Sequence, residues 1–240
     1  MIFAYMGAAK RRTDFMAYQM IHMEVAYLLM DKLQIDQCKA EFILGSVAPD
    51  SVHFRDPYKI EDKIHTHLFE NCGPWGDPQD YEKWMANMDG FRDAKSYSEK
   101  DCGRQMFIYG MYIHCLTDYY NDRLIWRRFQ EQLKATMTDA EIKNAFYPEA
   151  QLVDKWLFQT GEHSGEIGRL LKESVAYDLD DYVYATDLEK MKTHLLEKQY
   201  HITEMIDVSE MKYYTSKVGM DFVNTTVENI YNKLKQDGWI

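Results

Sequence analysis

The stretch Gln105–Leu133, QMFIYGMYIHCLTDYYNDRLIWRRFQEQL, contains no proline and a single glycine, and its apolar residues keep a helical period. Met106, Ile113, Leu116, Tyr120, Leu124 and Phe129 mark one long face, the spacing of a helix packed against a core. The same period returns in Phe15–Leu33 through Met16, Met20, Met23, Tyr27 and Met30. Shorter helices are expected over Asp139–Phe146, Gln151–Gly161 and His163–Asp178, with two more over Asp187–Met205 and Ser209–Lys235. Thr138 with Glu141 fits a capping box at the start of the first of these. No run of short alternating strands occurs, so the pattern predicts an all-α fold.

Two stretches break the period. Gly45–Pro57 (GSVAPDSVHFRDP) and Asn71–Asp80 (NCGPWGDPQD) together hold four of the five prolines. They are richer in special residues than a helix–helix turn requires, and functional groups concentrate on such loops. With no repeat, low-complexity run or linker in the chain, residues 1–240 read as one multi-helix domain, large enough to bury a core without staples.

The formal charge of −11 and pI near 5.2 argue against a duplex nucleic acid partner, because such a surface repels phosphate backbones. No apolar run reaches the length of a membrane span. Cys38, Cys72, Cys102 and Cys115 are widely spaced and form neither a disulfide framework nor a zinc knuckle, which predicts free thiols in a reducing compartment. The apolar start Met1–Ala9 has its positive charges after it, the wrong order for a secretory signal. Both points make a cytoplasmic location the expectation.

The strongest chemical signal is His114-Cys115-Leu116-Thr117-Asp118. Spacing of i and i+4 puts the imidazole and the carboxylate on one helix face, a donor pair suited to zinc and other first-row metals. Asp122 continues the stripe by one turn. Asp50 follows a proline in the first special loop, with His53 three residues on. His65 and His67 flank Thr66. His22 lies inside the first apolar helix, where an unpaired polar ring needs a partner. Farther along, His163 and Glu166 share a helix face and offer a late imidazole and carboxylate. Each feature alone also fits a core histidine or a surface group; together they point to a metal centre between helices.

These residues carry a family resemblance. Phe42-Ile43-Leu44-Gly45-Ser46-Val47-Ala48-Pro49-Asp50 resembles the Leu-Gly-Ser-x-Ala-Pro-Asp signature of the zinc-dependent phospholipase C family, part of the phospholipase C and single-strand nuclease-like superfamily. His22-x-x-x-Ala26 with Leu28-Leu29 is similar to that family's opening helix. Thr66-His67-Leu68-Phe69 resembles its His-Phe element, and Gly110-x-x-x-His114-x-x-x-Asp118 its central helix. The likeness spans about residues 16–125, where most of the motifs lie, and Met16 resembles the family's usual start, so residues 1–15 are expected to be an upstream extension.

The resemblance implies an all-α fold around zinc and hydrolysis of a phosphoester. By position, Asp50, His67, His114 and Asp118 would hold one ion, with His65 as the competitor for His67. His22 and Asp118 would hold a second, making Asp118 the bridge. Asp50 is either a ligand or the catalytic base. The chain departs from the family after Asp118, where no histidine occurs before His163, so one or two ions are expected rather than three. Iron, manganese and nickel suit the same donors. The expected substrate is a phospholipid-like or smaller soluble phosphoester. The competing reading is a non-catalytic helical protein with a structural or sensory metal site. An HD-type phosphohydrolase is disfavoured because the chain has no His-Asp dipeptide.

Overall fold

The computed structural model describes residues 18–96 and 100–239. The upstream extension and its boundary near Met16 lie outside the described residues. Helices account for all the regular structure there apart from one isolated bridge, Leu179 to Val183, so the fold is all-α. No described helix is long and apolar enough to cross a membrane.

Helix α1 (Gln19–Lys32) is the central rod. Ten of its residues, from Gln19 through Ala26 with Leu29 and Met30, are buried on every side, the signature of a helix enclosed by its neighbours. It packs against α2 (Lys39–Gly45), α5 (Cys102–Asn121), α7 (Asp139–Thr160), α8 (Ser164–Glu173) and α10 (Ser216–Gln236). A 3-10 helix (Ala48–Phe54), α3 (Ile60–Thr66) and α4 (Tyr81–Ser96) lie between α2 and α5 in sequence. After α5 come a π-helical turn (Asp122–Trp126) and α6 (Arg127–Leu133). Beyond α8 come α9 (Ala185–His194) and a second π-helical turn (Leu195–Gln199). One apolar core runs through all of these.

The long periodic stretch proves to be α5, the first π turn and α6 in near-continuous succession. Two expected helices, over 139–146 and 151–161, are a single helix α7 with Pro148 inside it. Proline removes one intrahelical donor, and packing on both halves carries the helix through. Thr138 and Glu141 form the reciprocal capping box in front of α7. The first special loop is not open coil: Ala48–Phe54 winds as a 3-10 helix with Pro49 in its first turn.

Glycine decides how α2 meets α5. A Cβ on Gly45 would stand 2.2 Å from the Phe107 carbonyl oxygen, and one on Gly110 would stand 2.3 Å from that of Phe42. The two backbones touch, and this brings the end of α2 against the middle of α5. The N-terminus of α1 is capped across the core, since Asp154 of α7 accepts from the Ile21 amide at 3.1 Å and from the Tyr200 hydroxyl at 2.7 Å.

Cys38 and Cys102 are joined as a disulfide between the starts of α2 and α5, which corrects the expectation of four free thiols. The residues are 64 apart in sequence, and only folding brings them together. Cys72 and Cys115 are free and buried. Disulfides persist where the surroundings are oxidising, so cysteine usage no longer argues for a reducing compartment.

Candidate metal centre

Five side chains from four elements converge beside α1. His22 comes from α1, Asp50 from the 3-10 helix and His67 from the end of α3. His114 and Asp118 stand one turn apart on α5. The ligand atoms of Asp50, His67 and His114 lie within 4.8 Å of one another, and so do those of His22, His114 and Asp118. Among the described residues, no three His, Cys, Asp or Glu side chains outside these five converge as closely.

The backbone fixes which nitrogen of two rings faces inward. His114 Nδ1 donates to the Ser46 carbonyl at 2.8 Å, a bond made possible by the Gly45–Gly110 contact. His67 Nδ1 donates to the Lys63 carbonyl at 2.9 Å. A carbonyl only accepts, so each neutral ring holds its proton on Nδ1 and turns a bare Nε2 inward. Those two Nε2 atoms are 3.3 Å apart. His67 Nε2 is 3.3 Å from Asp50 Oδ1 and 3.6 Å from Asp118 Oδ2, and His114 Nε2 is 3.5 Å from Asp118 Oδ2. A tetrahedral zinc site with bonds near 2.0–2.1 Å has donor-to-donor edges of about 3.3–3.4 Å; the His67 separations from His114 and Asp50 match it, and those from Asp118 Oδ2 to the two rings are slightly longer.

His22 stacks on His114 with ring centres 4.0 Å apart and sets its Nε2 3.3 Å from Asp118 Oδ1, the oxygen not used by His114. Asp118 therefore reaches two groups of donors with its two oxygens. His22 Nδ1 is buried with no hydrogen-bond partner, as is Gln19 Oε1 beside it.

Electrostatics agree with ionised carboxylates among mostly neutral rings. Burial opposes the charge on Asp50, but Lys63 outweighs it with help from His53 and His67, and the carboxyl is held well below its usual range. Burial likewise opposes charge on Asp118, and His114 and His22 carry it well below. Burial pushes His67 down to about 4 and lowers His22, the latter with help from His114. His114 alone is raised: burial works against its charge, and Asp118, Asp50 and the Ser46 carbonyl exceed that effect. Neutral His67 and His22 rings and anionic oxygens are protonation states a metal requires, and the proton that His114 favours is one that metal binding would displace.

A cavity of about 160 Å³ opens onto this cluster. His22, Asp50, Lys63, Asp118, Asn121 and Asp122 supply its polar wall; Tyr18, Phe69, Trp75, Trp84, Trp126 and Tyr147 supply an aromatic one. Asp118 is the most exposed of the five converging side chains, and its exposed edge faces this opening. Of the aromatics in and near the two special loops, Trp75 and Trp84 line the cavity. Tyr58 instead stacks on His53, and Phe54 packs against His194.

The remaining candidates lie elsewhere. His65 sits one residue past α3's inward face and turns outward, with Nδ1 2.5 Å from Glu70, Nε2 3.3 Å from Asp181 and its ring on Tyr182. His53 spends its Nε2 on Lys63 at 2.9 Å. Asp122 borders the cavity, but its carboxylate accepts from the Tyr81 hydroxyl, with Arg127 beside it. His163 and Glu166 line a separate groove; His163 pairs with Glu24 at 2.7 Å. Glu24 is two residues from His22, a spacing that points to opposite sides of α1.

Sequence reading missed two partners of Asp50. Gln19 Nε2 donates to Oδ2 at 2.6 Å and Lys63 Nζ to Oδ1 at 3.1 Å. Helical spacing held the signal: Gln19 precedes His22 by three residues and Lys63 precedes His67 by four, so each shares a face with a candidate ligand.

The chain matches no family model, and no curated protein and no solved structure is significantly similar to it.

Proposed function

We propose that this protein is a metal-dependent hydrolase of a phosphoester. The observation that carries the reading is the pair of inward-facing His67 and His114 Nε2 atoms 3.3 Å apart, flanked by two anionic carboxylates at the end of a cavity. Two ring nitrogens aimed at one point repel unless a proton or a metal ion lies between them, and the two carboxylates beside them favour a cation there. The donor set fits zinc: Asp50, His67, His114 and Asp118 would hold one ion, with His22 and Asp118 toward a second. Such an ion supplies Lewis-acid polarisation of a phosphoryl oxygen and lowers the pKa of water beside it.

The chain's own residues do the rest. The backbone bonds from Ser46 and Lys63 hold the two rings in the ligating tautomer and orientation. Gln19 and Lys63 occupy both oxygens of Asp50. That arrangement, with a carboxyl kept well below its usual range, suits a ligand better than a base, whose ideal pKa lies near the working pH. Asp118, partly open to the cavity, is the carboxylate best placed to meet a reactant. The aromatic wall limits water around the cluster and gives the organic part of a substrate a surface to lie against.

The testing experiment combines elemental analysis with turnover. Protein reloaded with zinc, manganese or iron is offered a phosphomonoester, a phosphodiester and a phospholipid. The reading expects one or two ions per chain and release of product from at least one of the three. Bound metal that raises the melting temperature with no turnover of any would replace it with a structural metal site.

A further inference from the structure

Beyond its bond to Asp50, the Lys63 ammonium has no task in the reading above. The residue is only 7 % exposed, yet its side chain borders the cavity. Its Nζ donates to Asp50 Oδ1 at 3.1 Å and to His53 Nε2 at 2.9 Å, and lies 5.1 Å from the centre of the Trp75 ring. An ammonium carries three donors, so these two bonds leave one unspent. Burying a charge is costly without full compensation, and the ion pair with Asp50 supplies only part of it.

Asp50 Oδ1, the oxygen Lys63 holds, is also the oxygen 3.3 Å from His67 Nε2. A metal ion held by the four donors would therefore share this carboxylate oxygen with the Lys63 ammonium. Like charges at such range repel strongly where water is scarce. Asp50 and Asp118 together do not neutralise a dication and an ammonium. An anion with several oxygens resolves the conflict, giving one oxygen to the ion and another to the third Lys63 donor.

We infer that Lys63 is the phosphoryl-anchoring residue of this site and couples the two ligands, so that a tetrahedral oxyanion and the metal each tighten the other's binding. The inference rests on the metal reading proposed above and names the part of the substrate that Lys63 holds, an unesterified phosphoryl oxygen. The coupling is reciprocal by thermodynamic necessity.

The test measures zinc affinity by competition with a chromophoric chelator, with and without inorganic phosphate, for the wild type, Lys63→Met and Lys63→Arg. Phosphate is expected to tighten zinc binding to the wild type by a factor on the order of 5 to 150, the usual range of such couplings. Lys63→Met is expected to bind zinc at least as tightly as the wild type without phosphate, because a repulsion is gone, and to lose most of the tightening. Lys63→Arg keeps it. A Lys63→Met protein that binds zinc more weakly without phosphate would assign the lysine a supporting role only and overturn the inference. So would a wild type whose zinc affinity ignores phosphate, a result that needs no variant to fold. In both cases the metal reading survives; a wild type that takes up no zinc overturns both.

Discussion

His67 Nε2 and His114 Nε2 face each other at 3.3 Å while the opposite nitrogen of each ring is tied to a backbone carbonyl. Neither ring can turn away without breaking a buried bond, and leaving a buried donor unmade costs about 1–3 kcal/mol. The convergence is thus built into α3, α5 and the end of α2.

His114 belongs to both groups of donors, and Asp118 sets one oxygen toward His22 and the other toward His67 and His114, so loss of Asp118 and loss of His22 should differ. Asp118→Ala is expected to weaken all metal binding by more than the roughly 10- to 100-fold that loss of a second-shell partner costs. His22→Ala should remove only the weaker equivalent. Elemental analysis after dialysis against a fixed free-zinc buffer distinguishes them. Equal metal content in Asp118→Ala and the wild type would rule out the bridging role.

His65 and His67 compete in sequence and separate in space. His67→Ala should lose the tighter ion, whereas His65→Ala should keep it and lose only its contacts with Glu70 and Asp181. Zinc retained by His67→Ala but not by His65→Ala would reverse the assignment.

The long helices were legible because their apolar residues keep a period over many turns, as in Gln105–Leu133. Helices α2 and α3 are seven residues each, too short for periodicity to rise above local variation. Pro148 hid the unity of α7, since proline ordinarily ends a helix and only packing overrides it. Of the site, the i, i+4 pair His114 and Asp118 could be read because one helix holds both. Choosing His67 over His65 could not, because the decision depends on where α3 stops turning. Lys63 and Gln19 share a helical face with His67 and His22, but neither residue type points to a site by itself. A lysine in a charged heptapeptide and a glutamine at a helix start are ordinary until Asp50 arrives from another element. The disulfide was equally hidden, since nothing local relates Cys38 to Cys102.

Gly110 gives the packing beneath the site its own test. A methyl group at this position would stand 2.3 Å from the Phe42 carbonyl oxygen and 2.7 Å from Gly45 Cα, so α2 and α5 must separate. Gly110→Ala is expected to destabilise the fold by about 1–3 kcal/mol, as overpacking does. Because the same contact holds Ser46 against His114, zinc affinity should fall as well. Denaturant unfolding of the metal-free protein reads the first effect and chelator competition the second. Unchanged values of both would show that the helices can part without cost.

Asp154 supplies a pH dependence that involves no candidate ligand. Burial pushes its carboxyl up from an ordinary value of 3.8 to about 6, against the lowering effect of its bonds to Tyr200 and the α1 amides. The folded state therefore binds this proton more tightly than the unfolded chain does. The resulting stabilisation is complete below about pH 4 and is lost as pH rises through about 6. Over that window the change is on the order of 3 kcal/mol. Asp154→Asn keeps an acceptor for the Ile21 amide and has no charge to bury, so its own contribution should not vary with pH. The stability of the wild type minus that of the variant, from urea unfolding at steps between pH 4 and pH 7, should fall with rising pH and level off above about 7. A difference that stays flat, or rises with pH, would mean that Asp154 is ionised at low pH and that the α1 cap is a charged one.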